Sequence, residues 1–168
     1  MIKFKKLWDD HPTITGNKTP CSTDGKPNFS DQCAIRLGAA LAASGVDTRK
    51  LVSKARHCWF HDISEGHVLA AEELARGLAK QPLNGVGKLQ KIEPQNFAKM
   101  LSGKTGIIFF KDFLARDNEL FRNRTGDHID LWNGSRLSDW RTWFMLSSLF
   151  NTGGNYAKSK EIWFWSVK

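Results

Sequence analysis

The hydrophobic period of this chain changes once, near Gly103, and that change limits the fold more than any other feature. Before it, apolar residues recur at helical spacing. Ser30 suits an N-cap and Asp31 a first turn, Leu37 and Leu41 stand four apart, and Gly45 stops the run, which predicts a helix over residues 31–44. Val68, Leu69, Leu74 and Leu78 predict a second over 65–80, ended by Pro82, Gly85 and Gly87, and Pro94 opens a short third over 94–102. After Gly103 the pattern is that of strands. Residues 106–111 form an apolar β-rich run, His128 to Trp132 alternates before an Asn133-Gly134 turn, and Glu161 to Val167 is the third strand candidate. Residues 8–29, rich in Pro, Gly, Thr, Asn and Asp, read as irregular loop. Helices first and strands later imply an α+β domain whose helices pack on a mainly antiparallel sheet.

A length of 168 residues fits one domain, 1–168, burying roughly 70% of its unfolded surface. With 40% hydrophobic residues and 7 Trp the composition excludes a disordered chain. The excess of 25 Lys+Arg over 17 Asp+Glu gives +8, so nucleic acid, acidic lipid or a carboxylate-rich polymer are all electrostatically acceptable partners. Lys3, Lys5, Lys6, Arg49, Lys50, Arg122, Arg124, Lys158 and Lys160 are scattered and form no single basic run, as expected of a solvated surface. The first ten residues carry charge without a following apolar stretch, so no Sec signal is visible and export is expected to use another route. Leu37 to Val46 is about half a membrane span, and no membrane insertion is expected.

Three cysteines, Cys21, Cys33 and Cys58, are too few for a disulfide framework. Cys33 falls in the first turn of the predicted 31–44 helix, where the positive end of the helix dipole favours a thiolate and free N–H groups suit an oxyanion. His128 shares a strand face with Asp130 and Trp132, opposite Ile129 and Leu131, so one face reads as core and the other as a site. An imidazole base needs a carboxylate to fix its tautomer, and Asp127, Asp130 and Asp139 are the nearby candidates. The word His57-Cys58-Trp59-Phe60-His61-Asp62 holds metal-ligating side chains, but no second Cys/His cluster accompanies it, so no metal is expected.

Phe29-Ser30-Asp31-Gln32-Cys33-Ala34-Ile35-Arg36-Leu37, then Gly106-Ile107-Ile108, then His128-Ile129-Asp130-Leu131-Trp132-Asn133-Gly134 and Ser138-Asp139 resemble the type VI secretion amidase effectors of family four in order, spacing and local words. The resemblance runs in two blocks between 29 and 139. Asp127 stands where the family has Gly, and Ala34 where Pro is often found. It implies a papain-like, NlpC-type cysteine peptidase with Cys33 as nucleophile, His128 as base and acid, and Asp139 as orienting carboxylate. Asp130, two residues along the same strand, is expected to stand beside the ring and not across from it. Arg36, one turn beyond Cys33, is a candidate for binding a substrate carboxylate.

The implied reaction is cofactor-free hydrolysis of the D-glutamyl–meso-diaminopimelate amide in peptidoglycan stem peptides. An antibacterial toxin of this kind is injected by the type VI machinery into a rival's periplasm and is matched by a cognate immunity protein. In that oxidising compartment Cys21 and Cys58 are a candidate disulfide that would leave Cys33 free, the alternative being two buried, inert thiols. The alternative class, a basic nuclease or nucleic-acid-binding toxin, lacks a recognisable metal-binding carboxylate cluster or aromatic-basic motif, so no nucleic-acid partner is expected.

Overall fold

A computed structural model describes residues 1–115, 120, 125–139 and 156–168; Arg122 and Arg124 lie outside these. The chain opens with α1 (Phe4–Asp9) and a single helical turn, α2 (Pro12–Thr15). A two-stranded hairpin follows, β1 (Ser22–Thr23) with β2 (Lys26–Pro27), and leads into α3 (Cys33–Ala43). After three 3-10 turns comes α4 (Ala71–Lys80), then β3 (Gln90–Ile92) and α5 (Phe97–Met100). The strands β4 (Gly106–Leu114), β5 (Gly126–Trp132) and β6 (Glu161–Ser166) complete the described elements. The larger sheet has the order β3-β6-β4-β5 with antiparallel pairing throughout, as the change of period predicts.

Alternation along β4 sorts its side chains into two cores. Ile107 and Phe109 join Ile129, Leu131 and Trp165 beneath Leu37, Leu41, Leu74 and Leu78 of the helices. Ile108 and Phe110 turn the other way, to Phe97, Leu101, Trp132, Tyr156 and Phe164. Each fully buried Leu, Ile or Phe contributes about 1.5–3 kcal/mol, so apolar pressure on both faces holds the sheet. Strand β5 is therefore buried on both faces, and its polar-looking side runs into core at Trp132, whose Nε1 donates to the Leu101 carbonyl at 2.9 Å.

Local boundaries differ from the sequence expectation for physical reasons. Helix α3 begins at Cys33, two residues late, because Asp31 is occupied in accepting from the Cys33 N–H at 3.2 Å and the Gln32 amide is drawn sideways to Cys21. Helix α4 begins at Ala71 instead of Glu65. Asp62 and Glu65 form a capping box around the 3-10 turn Ile63–Glu65, and Gly66, at φ +74°, ends it. The chain then runs extended, with Val68 bridging to His57. Gly66 lies so close to α3 that a Cβ placed on Gly38 would stand 2.1 Å from the Gly66 carbonyl oxygen. That contact fixes the 57–68 segment against the helix that opens with Cys33. No helix among the described residues is long and apolar enough to cross a membrane.

Candidate active site

Cys33 is the first residue of an eleven-residue helix and is buried. Its approach is braced by Gln32, whose Oε1 accepts from the Cys21 N–H at 3.0 Å while Nε2 donates to the Cys21 carbonyl at 3.0 Å and the Phe29 carbonyl at 3.2 Å. A side chain bonded twice to one remote residue's backbone fixes where the helix starts. Next to Cys33 a cleft of about 260 Å³ is lined by Asp31, Leu69, Glu72, Glu73 and Asp127 among others. Asp127, the residue that departs from the expected Gly, also has structural work. Its Oδ1 accepts from the Asp112 N–H at 2.9 Å, at the irregularity in β4 where Asp112 takes φ +50°.

His128 pairs opposite Phe110 on β4, and its ring is surrounded by Phe110, Phe113 and Tyr156 at centroid distances of 6.3, 6.0 and 5.6 Å. Burial alone would lower its pKa, but the neighbouring Asp130 carboxylate and the Cys33 thiol outweigh it and push the imidazole up to about 10. The structure thus brings together Cys33 and His128, which are 95 residues apart in sequence (128 − 33).

Asp130 departs from expectation. Its Oδ2 lies 3.7 Å from His128 Nε2, so the strand neighbour reaches the ring instead of standing beside it. The carboxylate also accepts from the Leu131 N–H at 2.7 Å and from the Ser138 hydroxyl. Burial would raise its pKa, yet His128, His11 and Ser138 together hold it near 2. The structure puts the Asp139 carboxylate 3.8 Å from Lys18 Nζ, with its charge felt at His11 and Tyr156. Arg36 donates from Nη1 to the Lys18 carbonyl at 2.9 Å, so its guanidinium braces the same loop.

Two participants have no counterpart in the sequence reading. His11 is buried with Nε2 3.6 Å from Asp130 Oδ1, while its Nδ1 accepts from the Thr13 N–H at 3.3 Å. Burial drives its pKa down to about 4, so it faces Asp130 as a neutral imidazole. The sequence signal was a side chain able to cap immediately before Pro12 at the first helical position. Tyr156, between Phe113 and His128, has its phenol pushed well above the ordinary value, chiefly by burial.

The other two cysteines share one buried cluster with Ile35, as thiols and not as a disulfide. The expectation that the word around Cys58 has no partner cluster is corrected. Folding brings Cys21 and His67 to Cys58 and His61, with one candidate ligand atom from each residue inside 4.8 Å of all the others. His57 stays apart, bonded to Thr48 Oγ1 and the Ser53 carbonyl at 3.0 Å each.

A family model described as type VI secretion system amidase effector protein 4, Tae4, matches residues 29–165. No curated protein matches the chain significantly in sequence. Among solved structures, the crystal structure of the type VI effector Tae4 from Enterobacter cloacae is similar with a TM-score of 0.65 at 18% identity, over 100% of this chain and 98% of that one. The likeness establishes a shared papain-like, NlpC-type α+β fold.

Proposed function

The chain belongs to the type VI secretion amidase effector 4 family, a family of peptidoglycan-degrading antibacterial hydrolases, and from that premise we propose that a cysteine mechanism performs its amide hydrolysis. In this reading the chain is one domain, Cys33 is the nucleophile and His128 the general base and acid. The single observation that supports it most is the buried pairing of the first residue of α3 with an imidazole whose pKa its neighbours raise to about 10. His128 takes the proton of Cys33, and the sulfur attacks the carbonyl carbon of the scissile amide. Cys33's own N–H is engaged by Asp31, so the developing oxyanion falls to the other N–H groups of the first turn of α3. The C–N bond breaks as His128 protonates the leaving amine, giving a thioester. Water then loses a proton to His128, attacks the thioester, and releases the carboxylic acid and the thiol.

Two carboxylates divide the support of His128. Asp130, buried and ionised, holds the positive charge of the imidazolium. Asp139, one residue beyond the Ser138 that bonds Asp130, orients the ring during turnover, as the family resemblance implies.

The substrate is the stem peptide cut between D-glutamate and meso-diaminopimelate. In the cleft beside Cys33, where Glu73 is paired with Arg56 and Glu72 with Lys111, Asp31 and Asp127 suit the ammonium group of diaminopimelate, and Arg36 suits a substrate carboxylate. Secretion by the type VI machinery requires the producing cell to hold a cognate immunity protein. Mass spectrometry of purified sacculi after incubation tests the bond. Soluble fragments ending in D-glutamate, with a new free amine on diaminopimelate, are expected; intact D-glutamyl–diaminopimelate links in every soluble fragment refute this assignment.

A further inference from the structure

Outside the catalytic site, Cys21, Cys58, His61 and His67 converge from separate stretches of chain, and one ligand atom from each lies within 4.8 Å of the rest. Both cysteines and His67 are buried. The proton positions on the two imidazoles follow from their neighbours. His61 Nε2 is 3.2 Å from the Ser22 carbonyl, which only accepts, so Nε2 carries the proton and Nδ1 the lone pair. His67 Nε2 faces the Glu65 carboxylate at 3.7 Å, leaving the lone pair on Nδ1. That Nδ1 is buried and has no hydrogen-bond partner among the described residues. A buried imidazole nitrogen with a lone pair and no donor, on a ring clustered with two thiols and a second imidazole, carries a cost that a ligand would remove.

We propose that these four side chains bind one structural Zn²⁺ in a Cys2His2 site. Ligand atoms around tetrahedral zinc stand about 3.3–3.8 Å apart, given Zn–S near 2.3 Å and Zn–N near 2.0–2.1 Å, so contraction of about an ångström closes the shell. Two thiolates with two imidazoles select zinc over magnesium or calcium, which prefer oxygen. The surrounding groups fit the same assignment. Glu65 Oε2 faces the non-ligating Nε2 of His67 at 3.7 Å, the Ser22 carbonyl holds the Nε2 proton of His61, and Asn28 Nδ2 donates to Cys21 Sγ at 3.6 Å. Loading releases the two thiol protons and involves no electron transfer, so the site needs no oxidant, unlike a Cys21–Cys58 disulfide. A disulfide also leaves both imidazoles without a role.

The consequence for the enzyme runs through Gln32, which is bonded to both the N–H and the carbonyl of Cys21 and immediately precedes Cys33. With four protein ligands the metal has no open position for chemistry. It locks the Cys21 loop and the Cys58–His67 segment to the start of α3, and so sets the position of the nucleophile without touching substrate.

The test uses the whole chain, purified from zinc-supplemented cells in reductant without chelator. One zinc per chain is expected by elemental analysis, with three titratable thiols after unfolding in chelator. Replacement by Co²⁺ should give the visible bands and thiolate charge transfer of a tetrahedral S2N2 site. Folded His67→Gln protein should bind zinc more than about 100-fold more weakly, and its Cys33-dependent reaction with a thiol reagent should persist. The proposal is overturned by wild-type protein that retains no zinc after incubation with excess zinc chloride, by one titratable thiol with no metal, or by zinc binding unchanged in His67→Gln.

Discussion

Replacing Asp130 by Asn should weaken the protein and move His128 together, in a pH-dependent way. The Asp130 carboxyl lies near 2 in the folded protein against an ordinary 3.8, a depression of about 1.8. At about 1.4 kcal/mol per unit this corresponds to about 2–3 kcal/mol of stability. Because the pKa is depressed, that contribution is fully present above about 4 and is lost as pH falls toward 2. His128 behaves oppositely. Its pKa is raised from 6.5 to about 10, so the same pair's stabilisation is complete below 6.5 and drains away as pH rises through 10. The side-chain amide introduced by Asp130→Asn can still accept the Leu131 N–H, but it leaves the imidazolium buried without its counter-charge, a loss of about 3–5 kcal/mol if the ring stays charged. The ring should instead deprotonate. Urea unfolding at neutral pH is expected to show Asp130→Asn less stable by about 2–3 kcal/mol, with the gap closing near pH 2–3. NMR titration should find His128 well below 10 in the variant. A His128 still titrating near 10, or a stability gap independent of pH, would refute the ion pair.

Asp139→Asn is expected to cut kcat by about 10³–10⁴ with its urea midpoint and the His128 titration unchanged, since an orienting carboxylate acts on turnover and not on the buried pair; an equal loss of stability in both Asn variants would reject the division of roles. Gly38→Ala should destabilise by at least about 1–3 kcal/mol, because its Cβ meets backbone, the Gly66 oxygen at 2.1 Å, and not a side chain that can turn away. Denaturant unfolding checks this, and a neutral result would mean that α3 is free to shift.

The fold was legible where side-chain period alone decides it. Strand runs such as Ile107-Ile108-Phe109-Phe110 alternate between two cores, so burial on each face repeats a pattern already present in the chain. Cys33 and His128 were legible as members of two local words. What escaped was set by distant partners. The start of α3 depends on a Gln32 side chain reaching Cys21, and the end of the 57–68 excursion depends on a capping box that outcompetes helix from Glu65 onward. Asp130 was misplaced because simple alternation does not tell how far two side chains on one face lean toward each other. His11 lay in a stretch that composition marked only as loop, and the Cys2His2 cluster needs Cys21 and His67 brought to Cys58 and His61 by the fold itself.

The proposed nucleophile toward the cell-wall amide is the thiol of Cys33. Its most direct test is the rate of release of soluble peptide fragments from purified sacculi by folded Cys33→Ala protein, with circular dichroism and melting temperature matched to wild type. Loss of at least about 10³-fold in rate is expected, since removing a nucleophile abolishes the acyl-enzyme route altogether. Digestion by folded Cys33→Ala protein at a rate near that of wild type would contradict the cysteine mechanism.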